Sequence, residues 1–247
     1  SAADAIVPID KRAEIDQWII SRLNTVVRDQ MAAMDEYDLT RACRLVQEFV
    51  IEDVSNWYVR RNRRRFWKGE YDEDKRAAYQ TLHTVLIRVA EMIAPVAPFL
   101  AESIFLRLNS NKEHFTVHCI ILQTSDEGLI NVDLERRIWQ AQHIVSLARS
   151  LREKAKIKTR QPLRRILLPV DGPAMRRQLQ SVEDIIKEEI NVKEVEYVSD
   201  DTNIVRRSAK PNFKVIGKKY GDTTQAVAQA IKSLTHDQVR KLEQSSV

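Results

Sequence analysis

The spacing of apolar residues constrains the fold of this chain more than any other feature of its sequence. In the first hundred or so positions, apolar residues recur at intervals of three and four, which places them on one face of successive helices. These amphipathic runs occupy residues 15–34, 45–58, 75–93 and 99–108. Asp38 or Thr40 is placed to cap the second run. Four such helices in this length of chain predict an antiparallel helical bundle.

The pattern changes in the second half of the chain. Residues 111–160 are interpreted as a connector, with a strand at 116–122, that leads into a long amphipathic helix. The expected elements after it are a strand at 163–170, a helix at 173–190, strands at 192–198 and 213–216, and a helix at 226–234 behind an Asp222–Gln225 capping box. The predicted fold class is mainly α: a helical bundle at 1–110, then a small α+β C-terminal subdomain at 161–247.

Composition excludes several classes of protein. The 5 glycines are isolated from one another, which argues against a glycine-rich phosphate loop and a turn-dense all-β fold. No apolar run is long enough to span a membrane, and no leader marks the chain for secretion. Cys43 and Cys119 cannot form a disulfide framework, so we expect a reducing, cytoplasmic location. Because the chain begins with Ser1, it is interpreted as a fragment of a longer protein.

Basic charge is concentrated in three places. Net charge is +6 over residues 60–68, +7 over 149–165 and +6 over 206–219, while the whole chain carries only +5. The rest of the chain is therefore net acidic. Segregated positive charge of this kind suits a polyanionic partner better than a surface built only for solubility.

The first basic segment carries the strongest chemical signal. The sequence NWYVRRNRRRFW at 56–67 places arginines beside aromatic rings. Such a combination is typical of proteins that bind unpaired RNA through contacts to phosphates, stacking on bases and hydrogen bonds to base edges. Trp57 continues the apolar face and is expected in the core, whereas Trp67 is the better candidate for stacking. The alternative is a solvated helix end, partly neutralised by the acidic residues 72–74.

The other two basic segments leave alternatives open. Alternate residues are basic at Lys154, Lys156 and Lys158, which predicts an extended stretch that either contacts nucleic acid or is a solvated linker. The basic residues within 206–219 lie on both sides of a predicted Pro-Asn-Phe turn. They either contact nucleic acid or are ordinary exposed residues of the turn.

No motif of an enzyme or a metal centre stands out. His114, His118 and Cys119 lack a fourth ligand for zinc, and no P-loop, nucleophile elbow or zincin motif occurs. We therefore expect no catalytic residue, no metal and no cofactor within this chain.

Several segments together resemble the anticodon-binding domain of class I aminoacyl-tRNA synthetases. In the bundle they are DQWIISRLN (16–24), YD (37–38), NWYVRRNRRRFW (56–67) and APVAPF (94–99). In the tail, IKTRQPL (157–163), EINVK (189–193) and AKPNFK (209–214) are most similar to the isoleucyl-tRNA synthetase branch. The tail segments discriminate better, since the valine and leucine relatives share the tryptophan–arginine motif.

The resemblance implies both fold and role. The family's bundle packs beside the anticodon stem-loop, and its catalytic domain, which uses ATP, lies upstream. The present sequence has no His-x-Gly-His and no Lys-Met-Ser-Lys-Ser, so the resemblance implies the C-terminal part of an isoleucine–tRNA ligase without its catalytic centre. The implied partners are isoleucine tRNA, the remainder of the synthetase and further proteins at the C-terminal subdomain.

The family motif and helix geometry assign residues to roles. Arg60, Arg61, Arg64 and Arg65 are predicted to line a groove for the RNA backbone, and Asn62 and Trp67 to contact an unstacked base. The predicted extension of this groove comprises Arg152, Lys156, Lys158 and Arg160. Two alternatives remain: a protein-interaction appendage, and a general RNA-binding module without anticodon selectivity.

Overall fold

The structure is a computed structural model of the chain. It describes residues 5–67, 70–109, 115–120, 124–170, 172–199, 209–235, 238, 239 and 242. The chain divides into two compact units, Ser1–Gln140 and Ala141–Val247. None of the helices in the described part of the chain is both long and apolar enough to cross a lipid bilayer.

The first unit is a helical bundle. Tyr58 reaches Asp16 near the start of the first helix, while Gln30, near its end, bonds the backbone of Met92 at the end of the fourth. The elements are α1 (Glu14–Asp35), α2 (Leu39–Glu48), a π-helical segment (Phe49–Val59), α3 (Arg63–Trp67), α4 (Glu73–Ile93), α5 (Pro98–Leu108) and the beginning of α6 (Val132–Lys154). The predicted mainly α fold is confirmed.

The apolar faces that the spacing predicts form the core of this unit. Its largest fully buried side chains include Trp18, Ile19, Phe49 and Val85. Burying a side chain of this size contributes about 1.5–3 kcal/mol relative to leaving it in water, so the core carries most of the stabilisation. Trp57 is 4% exposed, which confirms its predicted place in the core.

Local hydrogen bonds fix where the helices begin. Asp38, one of the two predicted caps, accepts a hydrogen bond from the Arg41 amide at 2.9 Å and is the N-cap of α2. Asp72 caps α4 in the same way through the Lys75 amide, at 2.8 Å. Each cap satisfies a backbone donor that the first helical turn leaves unpaired.

The second unit combines the end of α6 with a small parallel sheet. Strand β1 (Leu163–Val170) pairs with β2 (Val192–Ser199), with Leu163 opposite Val192 in register. Helices α7 (Gly172–Gln180) and α8 (Glu183–Ile190) connect the two strands, and α9 (Phe213–Tyr220) and α10 (Thr224–Lys232) follow. The strands expected at 163–170 and 192–198 are confirmed, but the helix expected at 173–190 is two helices that separate at residues 181–182.

Three local predictions are wrong. Residues 213–216 belong to helix α9, because Phe213, Ile216 and Tyr220 recur at helical spacing and only Ile216 is buried. The expected Asp222–Gln225 capping box requires Asp222 as the N-cap of α10, but the N-cap is Thr223, which makes no side-chain cap bond.

In place of the strand expected at 116–122, Val117–Cys119 form a 3-10 turn. Glu102 of α5 accepts hydrogen bonds from the Thr116 hydroxyl and the Val117 amide, both at 2.9 Å, and these bonds hold the turn against α5. Residues 121–123 lie outside the described part of the chain.

Candidate nucleic-acid interface

The arginine-rich segment is anchored by a buried tyrosine immediately before it. Tyr58, in the π-helical segment, is fully buried, and its hydroxyl donates to Asp16 Oδ1 at 2.6 Å. Burial and the nearby Asp16 carboxylate raise the pKa of Tyr58 well above its usual range. The hydroxyl therefore stays protonated and remains a donor to the carboxylate.

Arg65 completes this anchor. Its Nη1 and Nη2 donate to the two carboxylate oxygens of Asp16 at 3.0 and 2.8 Å, and its Nε and Nη2 donate to Asp74 at 2.8 and 2.6 Å. The Asp16 side chain is 0% exposed and that of Arg65 is 19% exposed. Burial by itself would lower the pKa of Arg65, but the hydrogen bonds and charges of Asp16 and Asp74 outweigh that effect and raise it. Arg65 thus joins α3 to α1 and α4.

Asn62 and Arg65 are both predicted to contact RNA, and the structure places them in contacts within the bundle. Asn62 is 2% exposed, and its Oδ1 accepts a hydrogen bond from Arg65 Nη1 at 2.9 Å. Residues three apart on a helix lie on the same face. Here that face packs inward, so both side chains serve the fold of the bundle.

The remaining cationic side chains of the segment lie on the outside. Arg60, Arg63 and Arg64 are exposed and Arg61 is half-buried. The guanidinium groups of Arg60 and Arg61 lie over the Trp57 ring, at 5.9 and 5.7 Å from its centroid. Stacking on an aromatic face restricts the orientation of a guanidinium, and Arg60 Nε also donates to the Asn56 carbonyl at 2.7 Å.

Trp67 ends this outward face. Its side chain is 68% exposed, and the Arg63 guanidinium lies 5.8 Å from its ring centroid. The buried ring of Phe66 meets it edge-on at 6.1 Å, and the Tyr79 hydroxyl donates to the Phe66 carbonyl at 3.0 Å. We call the outward side chains together the α3 surface: Arg60, Arg61, Arg63, Arg64 and Trp67.

The second basic segment, in the second unit, separates into a structural and an exposed part. Arg152 is 5% exposed, and its guanidinium donates to four backbone carbonyls. The four acceptors are the carbonyls of Lys158 (3.1 Å), Gln161 (3.0 Å), Ile190 (2.7 Å) and Asn191 (3.2 Å). Arg152 is predicted to contact RNA, but in the structure its donors hold the loop before β1 against the end of α8.

Lys156, Lys158 and Arg160 are exposed on that loop. The loop is not the extended stretch that the alternating lysines predict, because Lys154 ends α6 and Lys156 has a φ of 56°. Asn191, also in the left-handed region, donates from its side-chain amide to the carbonyls of Thr159 and Arg160 at 3.2 and 3.1 Å. The basic loop is thus fixed by backbone contacts while its charged side chains face solvent.

The sequence reasoning missed a group of polar side chains on α1. Ser21, Arg22 and Thr25 all bond the Glu135 carboxylate of α6, and Arg22 also pairs with Asp53 at 3.2 Å. Asn24 accepts the Asp126 amide at 2.8 Å, and Ser21 accepts the Asn131 amide at 2.8 Å. These contacts hold the connector and the start of α6 on the bundle. Apart from Asp53, the partners are more than a hundred positions away in sequence, so no local signal identifies them.

The candidate zinc ligands do not assemble into a site within the described residues. His118 and Cys119 are exposed, His114 lies outside the described part of the chain, and no group of three or more histidine, cysteine or acidic side chains comes together elsewhere in that part.

Comparisons with known proteins identify the family that the chain resembles. The family described as the anticodon-binding domain of tRNA ligases matches residues 16–167. The chain is similar to the isoleucine–tRNA ligase of Cytophaga hutchinsonii, with 45% identity over 98% of this chain and 22% of that protein. The ligases of Porphyromonas gingivalis (40% identity, 97% and 21%) and Chlamydia caviae (39%, 93% and 22%) are also similar.

The chain spans about a fifth of the length of these curated relatives. The match to the family covers more than half of the chain, and it includes α1 from Asp16 onward, the whole arginine-rich segment and the exposed loop before β1. The chain therefore belongs to the family of anticodon-binding domains of tRNA ligases.

Proposed function

We propose that this chain binds the anticodon stem-loop of isoleucine tRNA as the C-terminal part of a cytoplasmic isoleucine–tRNA ligase. The α3 surface is the observation that carries the proposal, since it presents arginines and an exposed indole on a rigidly anchored helix. The tail segments that resemble the isoleucine branch, together with relatives named isoleucine–tRNA ligase, support the choice of tRNA.

The side chains of the α3 surface suit a division of labour. Arg60, Arg61 and Arg64 are placed to donate to phosphate oxygens, which supply affinity and orientation but carry little sequence information. Trp67 offers an open ring face on which an unpaired base can stack. Arg65 and Asn62 contribute indirectly, because they fix the helix that carries the contacts.

The exposed loop of the second unit supplies a further set of cations. Lys156, Lys158 and Arg160 are solvent-facing, and the loop that carries them is pinned by Arg152 and Asn191. We assign these three side chains to phosphate contacts.

The ligase reaction itself is assigned to the rest of the parent protein. The 247 residues contain neither of the ATP-binding signatures of class I synthetases, so within the proposal ATP and isoleucine bind elsewhere. This chain contributes binding energy far from the reacting groups, and such remote energy can be used to raise specificity.

Binding of isoleucine tRNA and a non-cognate tRNA over a salt series tests the proposal. Arg64→Ala should weaken both tRNAs alike and lower the slope of log K against log salt by about 1, as expected for one lost phosphate contact. Trp67→Ala should leave the slope unchanged, weaken the cognate complex and reduce the preference. Arg41→Ala, at an exposed arginine of α2 that pairs with Glu36, is the matched control.

Three results would contradict parts of the proposal. Equal, sequence-independent losses in the Arg64 and Trp67 variants would refute the division of labour. A steep salt slope without any preference would indicate a general RNA-binding module. Absence of binding at low salt would favour a protein-interaction appendage.

A further inference from the structure

Helices α9 and α10 of the second unit form a hairpin with a groove along it. The two helices pack together around their buried residues, Ile216 and Ala228. Gly221 lies at the turn between them with a φ of 49°, a conformation that favours glycine. The groove is open to solvent along its length and has a volume of about 570 Å³.

The residues that line the groove carry a specific set of chemical groups. On α10, Gln225, Ala228, Gln229 and Lys232 are spaced at three and four residues and so share one helix face. Phe213 of α9 lies across from them and is 56% exposed. The groove therefore offers an open aromatic ring, two primary amides and an ammonium group, and none of the described residues that line it is acidic.

Charge around the hairpin favours an anionic ligand. Residues 209–235 contain five lysines and a single acidic residue, Asp222. Lys214, Lys218 and Lys219 of α9 are all exposed, and the Lys219 ammonium lies 5.8 Å from the ring centroid of Tyr220. Exposed lysines interleaved with aromatic rings are the pattern of surfaces that follow a nucleic-acid backbone and stack its bases.

We propose that this groove binds an unstacked nucleobase of single-stranded RNA. The Phe213 ring supplies the stacking surface, and the side-chain amides of Gln225 and Gln229 donate to and accept from the edge of the base. Lys232 pairs with the adjoining phosphate. Single-stranded RNA fits better than a duplex, because base edges and faces are accessible only when the base is unpaired.

The inference goes beyond the contact proposed for the α3 surface and does not depend on it. The hairpin is in the second unit, and the α3 surface is in the first. Variants of each surface can therefore be compared on the same RNA, so that failure of one proposal is distinguishable from failure of the other.

Binding of fluorescein-labelled hexauridylate and hexaadenylate to the full chain, followed by anisotropy at low salt, tests the inference. Phe213→Leu removes the ring but keeps apolar volume, and should weaken binding about 5- to 150-fold, the range for loss of one stacked base. Val215→Ala, at a side chain of matched exposure (57%) on the opposite face of α9, should bind as the unmodified chain does. Gln229→Leu, an exposed position, should also weaken binding and guards against misfolding of the Phe213 variant.

The outcomes separate clearly. Weaker hexanucleotide binding in both groove variants, with Arg64→Ala unchanged, supports the groove as the site. Loss in Arg64→Ala with no change in the groove variants overturns the inference and assigns single-stranded binding to the α3 surface. Absence of hexanucleotide binding also overturns it, and a protein segment that then crosslinks to a photoreactive residue at position 229 would identify the true occupant.

Discussion

The Asp16–Arg65 pair allows the anchoring of α3 to be tested quantitatively. Asp16→Asn removes the carboxylate charge and keeps the shape of the side chain. The carboxylate is fully buried and accepts both Nη groups of Arg65 as well as the Tyr58 hydroxyl. Removing one partner of a buried ion pair costs about 3–5 kcal/mol, since the other charge is left without compensation. Asp74 still binds Arg65 in the variant, so we expect the lower end, about 3 kcal/mol.

Urea unfolding followed by tryptophan fluorescence measures this loss in the correct unit. All 4 tryptophans of the chain, Trp18, Trp57, Trp67 and Trp139, belong to the first unit. With an m-value of about 2 kcal/mol/M, the expected loss lowers the urea midpoint by about 1.5 M. An unchanged m-value would show that the variant lost stability and did not change the compactness of the unfolded chain.

Asp74→Asn is the matched control, because Asp74 binds the same guanidinium with a side chain that is 55% exposed. A half-exposed ion pair contributes less, about 0–1 kcal/mol, because solvent screens it. If Asp16→Asn costs no more than Asp74→Asn, then the buried pair does not anchor α3 and the reasoning is refuted. A double variant with Arg65→Met should cost less than the sum of the single losses, since the two side chains act through one interaction.

Three further predictions concern side chains of the two units. The pKa of Tyr58 is raised in the fold by burial and by Asp16, whereas an unfolded tyrosine ionises near pH 10. The protonated hydroxyl of Tyr58 therefore contributes fully to the free energy of unfolding below that pH, and its contribution declines above it by up to about 1.4 kcal/mol per pH unit. Urea unfolding at pH 8–11 should show this decline in the unmodified chain and not in Tyr58→Phe. In the second unit, Arg152→Met should speed hydrogen exchange of the amides at 156–163, because four carbonyls lose their donor. Lys158→Ala should leave that exchange unchanged and lower the salt slope of tRNA binding by about 1.

Periodicity predicted the elements whose burial follows a regular repeat. The helices α1, α4 and α6 and the strand β1 lie where the apolar spacing predicts them. Apolar residues that recur at a fixed period share one buried face in only one type of secondary structure, so the period identifies that structure. The same reasoning gave α2 as one helix through Tyr58, but from Phe49 the chain is π-helical. The turn of a π-helix is wider than that of an α-helix by less than one residue, and a short run of apolar residues does not reveal so small a change in spacing.

The functional side chains were harder to assign than the elements that carry them. A run of arginines shows where positive charge is concentrated, but not which members are neutralised by acids elsewhere. Arg65 is paired with Asp16, 49 positions away, and Arg152 with carbonyls that come together only when α8 closes on the loop before β1. The reason is the same for both residues: composition and local spacing do not reveal long-range pairing.

Two explanations of tRNA binding, one by net charge and one by the position of the arginine side chains, predict opposite changes in affinity for Asp16→Asn. If tRNA were attracted only by net positive charge, Asp16→Asn would remove a negative charge near the cluster and strengthen binding. If binding depends on where Arg60, Arg64 and Trp67 are held, the same variant should weaken it, because Asp16 fixes α3 through Arg65.

The sign of the change in affinity, measured where the variant remains folded, therefore decides between the two. Tighter binding would contradict the role given to the anchor. Weaker binding with an unchanged salt slope would show that the number of phosphate contacts is preserved while their geometry is lost. We expect the second result, because the guanidinium groups over Trp57 and Trp67 have fixed positions that only a fixed helix can maintain.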